Sequence, residues 1–189
     1  MSYYNSEKNV NDYIEMAKGF DGAELIKVLQ KHLSKGSIML ELGMGPGKDL
    51  ALLGEWYEVT GSDFSSVFLD LYRQSYPESD LLLLDAATME TDRTFDGIYS
   101  NKVLQHITKE QLSTSLQKQR DVLNSHGVLM HSFWHGTGEE VHQGLRSVYY
   151  TESDLKDLVG KGYKVEELER YKEMEDDDSI YIVLRKIDG

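Results

Sequence analysis

The sequence contains no cysteine. That absence excludes disulfide staples, thiolate nucleophiles and cysteine-ligated zinc together. It also suits a reducing compartment, so a cytoplasmic location is expected. Long apolar runs are missing as well. None approaches the roughly 18 residues that a membrane-spanning helix requires. The first residues, MSYYNSEKNVNDY, are polar and lack the apolar core of a secretory signal, so no signal peptide is expected. Basic residues are few: 20 Lys and Arg stand against 33 Asp and Glu, a net charge of −13. A field of that sign repels nucleic-acid phosphates, and the basic residues are scattered rather than clustered. Neither nucleic acid nor membrane is an expected partner. Internal repeats and low-complexity linkers are absent too.

What is present suits a folded globule. The 189 residues, 40% hydrophobic and 28% charged, are enough for one domain spanning 1–189. Residues 1–35 read as a helical cap and 36–189 as an α/β core. In the cap, helices are expected over Asn9–Lys18 and Gly22–Leu33, from Ile14, Ala17 and Phe20 and then Leu25, Ile26, Val28 and Leu29 at helical spacing. In the core, short apolar runs at 37–42, 57–63, 80–87, 95–101 and 127–134 read as strands. Helices intervene at 48–56, after a Ser65 cap with Val67, Phe68, Leu71 and Tyr72 inward, from the capping box Thr108–Gln111 to about Asn124, and from Thr151 to Val159. The tail alternates as two strands around the acidic turn MEDDD. Strands alternating with helices imply a three-layer α/β domain. Its sheet has seven strands, is mostly parallel, and ends in an antiparallel hairpin.

The stretch ELGMGPGKDL, from Glu41 to Leu50, follows the first strand and carries Gly43, Gly45 and Gly47. One glycine would satisfy a plain strand-to-helix turn; three at alternate positions imply that a ligand approaches the backbone. The spacing breaks the dinucleotide pattern G-x-G-x-x-G, and no Gly-Lys-Ser/Thr follows a four-residue gap as a P-loop needs. Asp63 ends the second strand 22 residues after Glu41, and Asp85 ends the third after another 22. A carboxylate at the first point can accept from both hydroxyls of a ribose, and one at the second from an exocyclic amino group. In open α/β sheets ligands lie past the carboxyl ends of the strands. None of these positions asks for a phosphate.

The blocks LELGMGPG, VTGSDFS, LLLLDAA, FDGIYSNKVLQHI, RDVLNSHGVLM and YYTESDLKDLV, in this order, resemble the class I S-adenosylmethionine-dependent methyltransferases, particularly the small-molecule type. The resemblance implies a Rossmann-like core, bound S-adenosylmethionine and a small-molecule acceptor. It places Gly43, Gly45 and Gly47 against the methionine and ribose, Asp63 on the ribose hydroxyls and Phe64 beside the adenine. Asp85 then faces the adenine amino group and Ala86 its ring. The backbone near Ser100 and Asn101 receives the methionine amino group, and Glu41 braces the loop. A cofactor with a sulfonium and an ammonium suits an acidic, aromatic-rich pocket. Tyr3, Tyr4 and Tyr13 either close over that pocket or pack as ordinary helix residues.

Methyl transfer is an in-line displacement that needs alignment above all, and a base only when the acceptor starts protonated. His106, after the fourth strand, is the candidate catalytic residue; a structural histidine at that junction is the competing reading. His131 and His135, followed by Glu139, Glu140 and His142, suggest a substrate mouth more than a metal site, and no metal is expected. Gly136 and Gly138 make 134–150 a candidate lid. Asn/Asp-Pro-Pro-Tyr/Phe is absent after the fourth strand, where Ser100-Asn101-Lys102-Val103 stands, so methylation of nucleobase or glutamine amide nitrogen is not expected. Two other readings stand beside methyl transfer: a non-catalytic S-adenosylmethionine sensor or partner subunit, and a nicotinamide-dependent reductase, against which the glycine spacing speaks. The acceptor atom and the oligomeric state are not legible.

Overall fold

The computed structural model describes Tyr4, residues 6–142 and residues 144–188. Tyr3 therefore lies outside the described residues. Two helices open the chain, α1 (Glu7–Met16) and α2 (Ala23–Leu29). Strands and helices then alternate: β1 (Ile38–Leu42), α3 (Lys48–Gly54), β2 (Glu58–Asp63), α4 (Ser66–Ser75), β3 (Leu81–Leu83), β4 (Phe95–Asn101) and α5 (Lys109–Val122). β5 (Leu123–Trp134), a hairpin of β6 (Glu139–His142) and β7 (Leu145–Val148), α6 (Glu152–Val159), β8 (Tyr163–Tyr171) and β9 (Ser179–Lys186) complete it.

The main sheet has seven strands in the order β3-β2-β1-β4-β5-β9-β8. β3 through β5 run parallel, and β9 pairs antiparallel with both β5 and β8. This is the expected three-layer, Rossmann-like fold with its antiparallel C-terminal hairpin. Strand order reverses between β1 and β4, so a crevice opens at their carboxyl ends. Alternation along the strands divides the core. Leu40, Leu42 and Ile98 join Leu112, Leu116, Leu155 and Val159 under α5 and α6. Met39, Tyr99 and Met130 join Leu25, Ile26, Leu29 and Leu53 under α2 and α3. Each fully buried leucine contributes about 1.5–3 kcal/mol.

Local signals decide most boundaries. Thr108 and Thr151 both cap their helices through complete capping boxes, so α5 and α6 begin where expected. Several boundaries differ. β3 covers three residues only. The last ladder bond runs from Leu84 N–H to Asp63 O, after which the Asp85 carboxylate takes the Ala87 N–H and turns the chain. Asp85 thus sits in a turn beyond the strand rather than at its end. α1 buries Val10, and Phe20 lies beyond its end, partly exposed. α4 buries Phe68 and Leu69. Ser65 precedes α4 without capping it, because its hydroxyl donates to Tyr4 O. The hairpin β6–β7 falls inside the segment read as a candidate lid. The acidic run is an ordered turn, in which the Asp178 carboxylate accepts the N–H groups of Glu173, Met174 and Glu175.

Candidate functional site

β1 delivers the glycine loop directly onto α3. Met44 N–H donates to Ser62 O and Gly47 N–H to Met44 O, each at 2.8 Å, so the loop folds back over the end of β2. Gly47 enters α3 at φ 80°, a region costly for side chains, and a Cβ there would run into the Tyr72 ring. Gly45, at φ 49°, is different: its Cβ would stand 3.6 Å from Tyr13 Cε1, at ordinary contact distance. Gly43 packs against Val103. Gly47→Ala is therefore expected to lose more than about 2 kcal/mol in urea unfolding, from strain plus overlap. Gly45→Ala is expected to lose about 1–2 kcal/mol, from φ alone. Equal losses would show that ring overlap at Gly47 is unimportant.

Asp63, at the end of β2, ties the loop to α4. Gly45 N–H donates to its Oδ2 at 2.9 Å and Ser65 N–H to its Oδ1 at 2.8 Å. Each oxygen keeps further acceptor capacity. Burial pushes this carboxyl up, against the backbone hydrogen bonds that pull it down.

The cleft has two halves that meet at Tyr13, Gly43, Gly45 and Lys102. One half is walled by Phe64, Phe68, Ile107 and Ala86 and carries Asp63 and Asp85. It is an apolar slot with two carboxylates, the chemistry of a nucleoside site. The other half carries Glu41, Lys48, Asp49, Asn101 and Glu173, charges of both signs. The chain before β1 closes over both. Tyr4, Tyr13 and Phe68 form a ring cluster with centroids 5.5–5.8 Å apart. Lys48 Nζ donates to Ala17 O and Phe20 O, and Gly22 N–H donates to Asp49 Oδ1. Tyr13 is raised above the ordinary tyrosine value by burial and by Asp63.

Asp49 is a satisfied hub, accepting also from Tyr99 Oη and Asn101 Nδ2. Glu41 is the opposite case. It is 3% exposed, its Oε2 has no hydrogen-bond partner among the described residues, and burial pushes it well above the ordinary carboxylate value. An unpartnered carboxylate oxygen in such a half-cleft fits a ligand that brings a cation.

The strand period separates the two expected residues at the end of β4. Asn101 faces Asp49 and the cleft, whereas Ser100 faces α5. There Ser100 Oγ–H donates to His131 Nδ1 at 2.8 Å, and His131 Nε2–H donates to Gln119 Oε1 at 2.8 Å. Gln119 Nε2 donates to Ser115 Oγ, and Ser115 Oγ donates to Ala86 O. Gln119 fixes this polarity by presenting its amide N–H to Ser115. His131 is thus a buried neutral histidine rather than a mouth residue, with its pKa brought down to about 3 by burial. His135 lies apart, its Nδ1–H donating to Asp177 O.

His106 lines the apolar half beside Ile107. Its Nδ1 meets Arg146 O of β7 at 2.6 Å. A carbonyl only accepts, so Nδ1 carries the proton and Nε2 keeps a free lone pair. Burial pulls its pKa below the ordinary histidine value. Two groups escaped sequence reasoning: Asp49, hidden in a helix, and Lys102, marked only as a basic residue directly after a strand in an acidic chain.

A Rossmann-like sheet thus carries at its switch point an apolar slot with two carboxylates joined to a charged slot, an arrangement that suits a nucleoside with a polar tail. Residues 39–127 match the family described as a methyltransferase domain. The chain is 33% identical over 114 residues to the trans-aconitate 2-methyltransferase of Methylobacterium radiotolerans. That alignment covers 59% of this chain and 43% of the other, so the match spans less than half the length of that relative. The fold is shared with the 1,6-didemethyltoxoflavin-N1-methyltransferase of Burkholderia thailandensis, at TM-score 0.79, 20% identity and coverage of 96% of this chain and 85% of that one. It is also shared with a TehB-like S-adenosylmethionine-dependent methyltransferase of Corynebacterium glutamicum, at TM-score 0.75, 19% identity and coverage of 96% and 100%. Over residues 39–127 the chain is thus similar to methyltransferase domains, and its fold is that of solved S-adenosylmethionine-dependent methyltransferases.

Proposed function

We propose that this chain, as one domain spanning 1–189, binds S-adenosylmethionine and methylates a small-molecule acceptor in the cytoplasm. The observation that carries this is the two-part cleft, an apolar carboxylate-bearing slot joined at bare glycine backbone to a slot where Glu41 lacks a partner. In this reading Asp63 holds the ribose hydroxyls, and Phe64, Asp85 and Ala86 hold the adenine. Gly43, Gly45 and Gly47 let the ligand approach the loop, while Glu41 and the backbone at Ser100 and Asn101 serve the amino-acid tail. The cofactor supplies an electrophilic methyl group. His106 Nε2 takes a proton from an acceptor that arrives protonated. The net charge of −13 opposes a nucleic-acid acceptor. Relatives that act on a small carboxylate and a small heterocycle by name make both acceptor types first choices for screening.

The test is calorimetric binding of S-adenosylhomocysteine and of NAD, followed by a screen for S-adenosylhomocysteine release over a metabolite library. Binding of S-adenosylhomocysteine alone is expected. Binding of NAD alone would overturn the reading, and binding without turnover on any acceptor would favour a sensor. His106→Gln is expected to lower kcat/KM about 10²–10⁴-fold for a protonated acceptor. Its S-adenosylhomocysteine affinity should hold within threefold, and the acid limb of the pH–rate profile should disappear. An unchanged profile would make His106 structural.

A further inference from the structure

β4 does not end in a relaxed turn. Lys102 follows it at φ 57°, left-handed backbone that a lysine occupies at a cost of about 1–3 kcal/mol. Its N–H is bound by Ser132, so the strained residue is held in place. The side chain runs beneath the ends of β5, β8 and β9. There the ammonium donates to Phe133 O at 2.9 Å and to Ser179 Oγ at 2.6 Å. It stands 3.9 Å from the centre of the Trp134 ring and 5.1 Å from that of Tyr171.

All of those partners are neutral. In a chain with 33 carboxylates, this half-buried cation forms no ion pair among the described residues. Glu173 and Asp178 act on it only through space. Asp178 is committed to its own turn and to the Ser179 hydroxyl. The missing counter-charge registers in the ammonium itself, which burial brings down to about 8. Beside it, Tyr171 Oη is buried and makes no hydrogen bond among the described residues, although Ser132, Ser179 and Glu173 lie near. A desolvated cation without a carboxylate and an unclaimed phenol donor thus sit on neighbouring side chains, the ammonium 5.1 Å from the Tyr171 ring centre, and Lys102 lines both halves of the cleft. Buried charges are ordinarily paired, so this pair of donors implies an anion that arrives from outside.

Resting on the methyltransferase reading, we infer that Lys102 and Tyr171 form the acceptor subsite and that the acceptor carries a carboxylate, which the Lys102 ammonium receives between Trp134 and Tyr171. Glu173, on the rim of the same half-cleft, repels anions that do not reach the ammonium. A cationic cofactor offsets Glu41, Asp49 and Glu173 and so lowers the repulsion that an anionic acceptor meets.

The test uses the full chain loaded with S-adenosylhomocysteine. Benzoate and succinate are titrated against their carboxamides, benzamide and succinamide, and against benzylamine, by ligand-observed NMR. Carboxylates are expected to bind at least tenfold tighter than the matched amides. Lys102→Met should reduce that preference below twofold and keep S-adenosylhomocysteine affinity within threefold. Lys102→Arg should keep the preference, and Tyr171→Phe should weaken carboxylate binding about threefold to tenfold; these two carry the test if Lys102→Met fails to fold. Equal binding of acid and amide, absence of binding by both, or preference for benzylamine overturns the proposal. So does a tenfold loss of S-adenosylhomocysteine affinity in Lys102→Met with the acid preference intact, which would assign Lys102 to the cofactor tail. Failure of the wild-type chain to bind S-adenosylhomocysteine would instead remove the methyltransferase reading itself.

Discussion

Asp63→Ala is expected to weaken S-adenosylhomocysteine binding at least a hundredfold and to destabilise the fold at the same time. The two effects have separate causes. Two hydrogen bonds from ribose hydroxyls to a charged acceptor are each worth about 1.5–3 kcal/mol, and about 1.4 kcal/mol is tenfold. Loss of both exceeds a hundredfold. In the free protein the same carboxylate accepts from Gly45 N–H and Ser65 N–H. Removing it leaves both donors unmet under the loop, at about 1–3 kcal/mol for each that stays buried. Asp63→Asn separates the causes, because its amide oxygen can still accept from one of the two backbone donors but cannot accept from both hydroxyls while its NH₂ faces the other. It should recover much of the stability and little of the affinity. Calorimetry with S-adenosylhomocysteine and urea melts on both variants check this. Affinity within threefold of wild type in Asp63→Ala would remove Asp63 from the site.

The second large effect is on acid stability. His131 is fully buried and neutral within the chain from Ser100 to Ala86. Its pKa is about 3 in the folded protein against an ordinary 6.5. Between those values the unfolded chain binds the extra proton, so stability rises with pH. The contribution is complete above about 6.5 and is lost progressively as pH falls toward 3. The slope approaches about 1.4 kcal/mol per pH unit, and the whole loss is on the order of 5 kcal/mol. That is a large share of the about 5–15 kcal/mol typical of a domain. Glu41 and Asp63 work the other way. Their carboxyls are raised, so the folded state holds their protons longer and their burial disfavours folding as pH rises through those values. The wild-type curve is a sum, and His131→Gln isolates one part of it. Urea unfolding at pH 7, 5.5 and 4.5 should show the variant less stable at pH 7 but flatter toward acid. Parallel curves would exclude His131 as the group responsible.

Much of this architecture is legible in the chain because local chemistry is sufficient for it. Thr108 with Gln111 and Thr151 with Asp154 start their helices on their own. β4 runs from Phe95 to Asn101, the bounds of the short apolar run read as a strand. The glycine loop announces itself, since all three positions have positive φ and close approach at Gly43 and Gly47 leaves no room for a side chain. Where the reading slips, a contact from elsewhere has intervened. Ser65 looks like a cap but gives its hydroxyl to Tyr4 O. Asp85 looks like a strand end but turns the chain with its own side chain. Phe20 has helical spacing, yet α1 has already ended and Lys48 draws the backbone around it.

The sequence by itself determined the fold class, the order of the elements and the acidic residues that follow successive strands, because periodicity, caps and glycine spacing act over a few residues. It could not determine which carboxylate stays unpaired. Glu41, Asp49 and Asp63 look alike along the chain. Only the packed sheet separates them, giving Asp49 three donors from distant segments and leaving Glu41 Oε2 with none. Nor could it show that Lys102, one of 20 scattered cations, is folded away from the carboxylates that pair with most of the others. Burial and long-range pairing set a charge's environment, and both exist only once the chain has closed on itself.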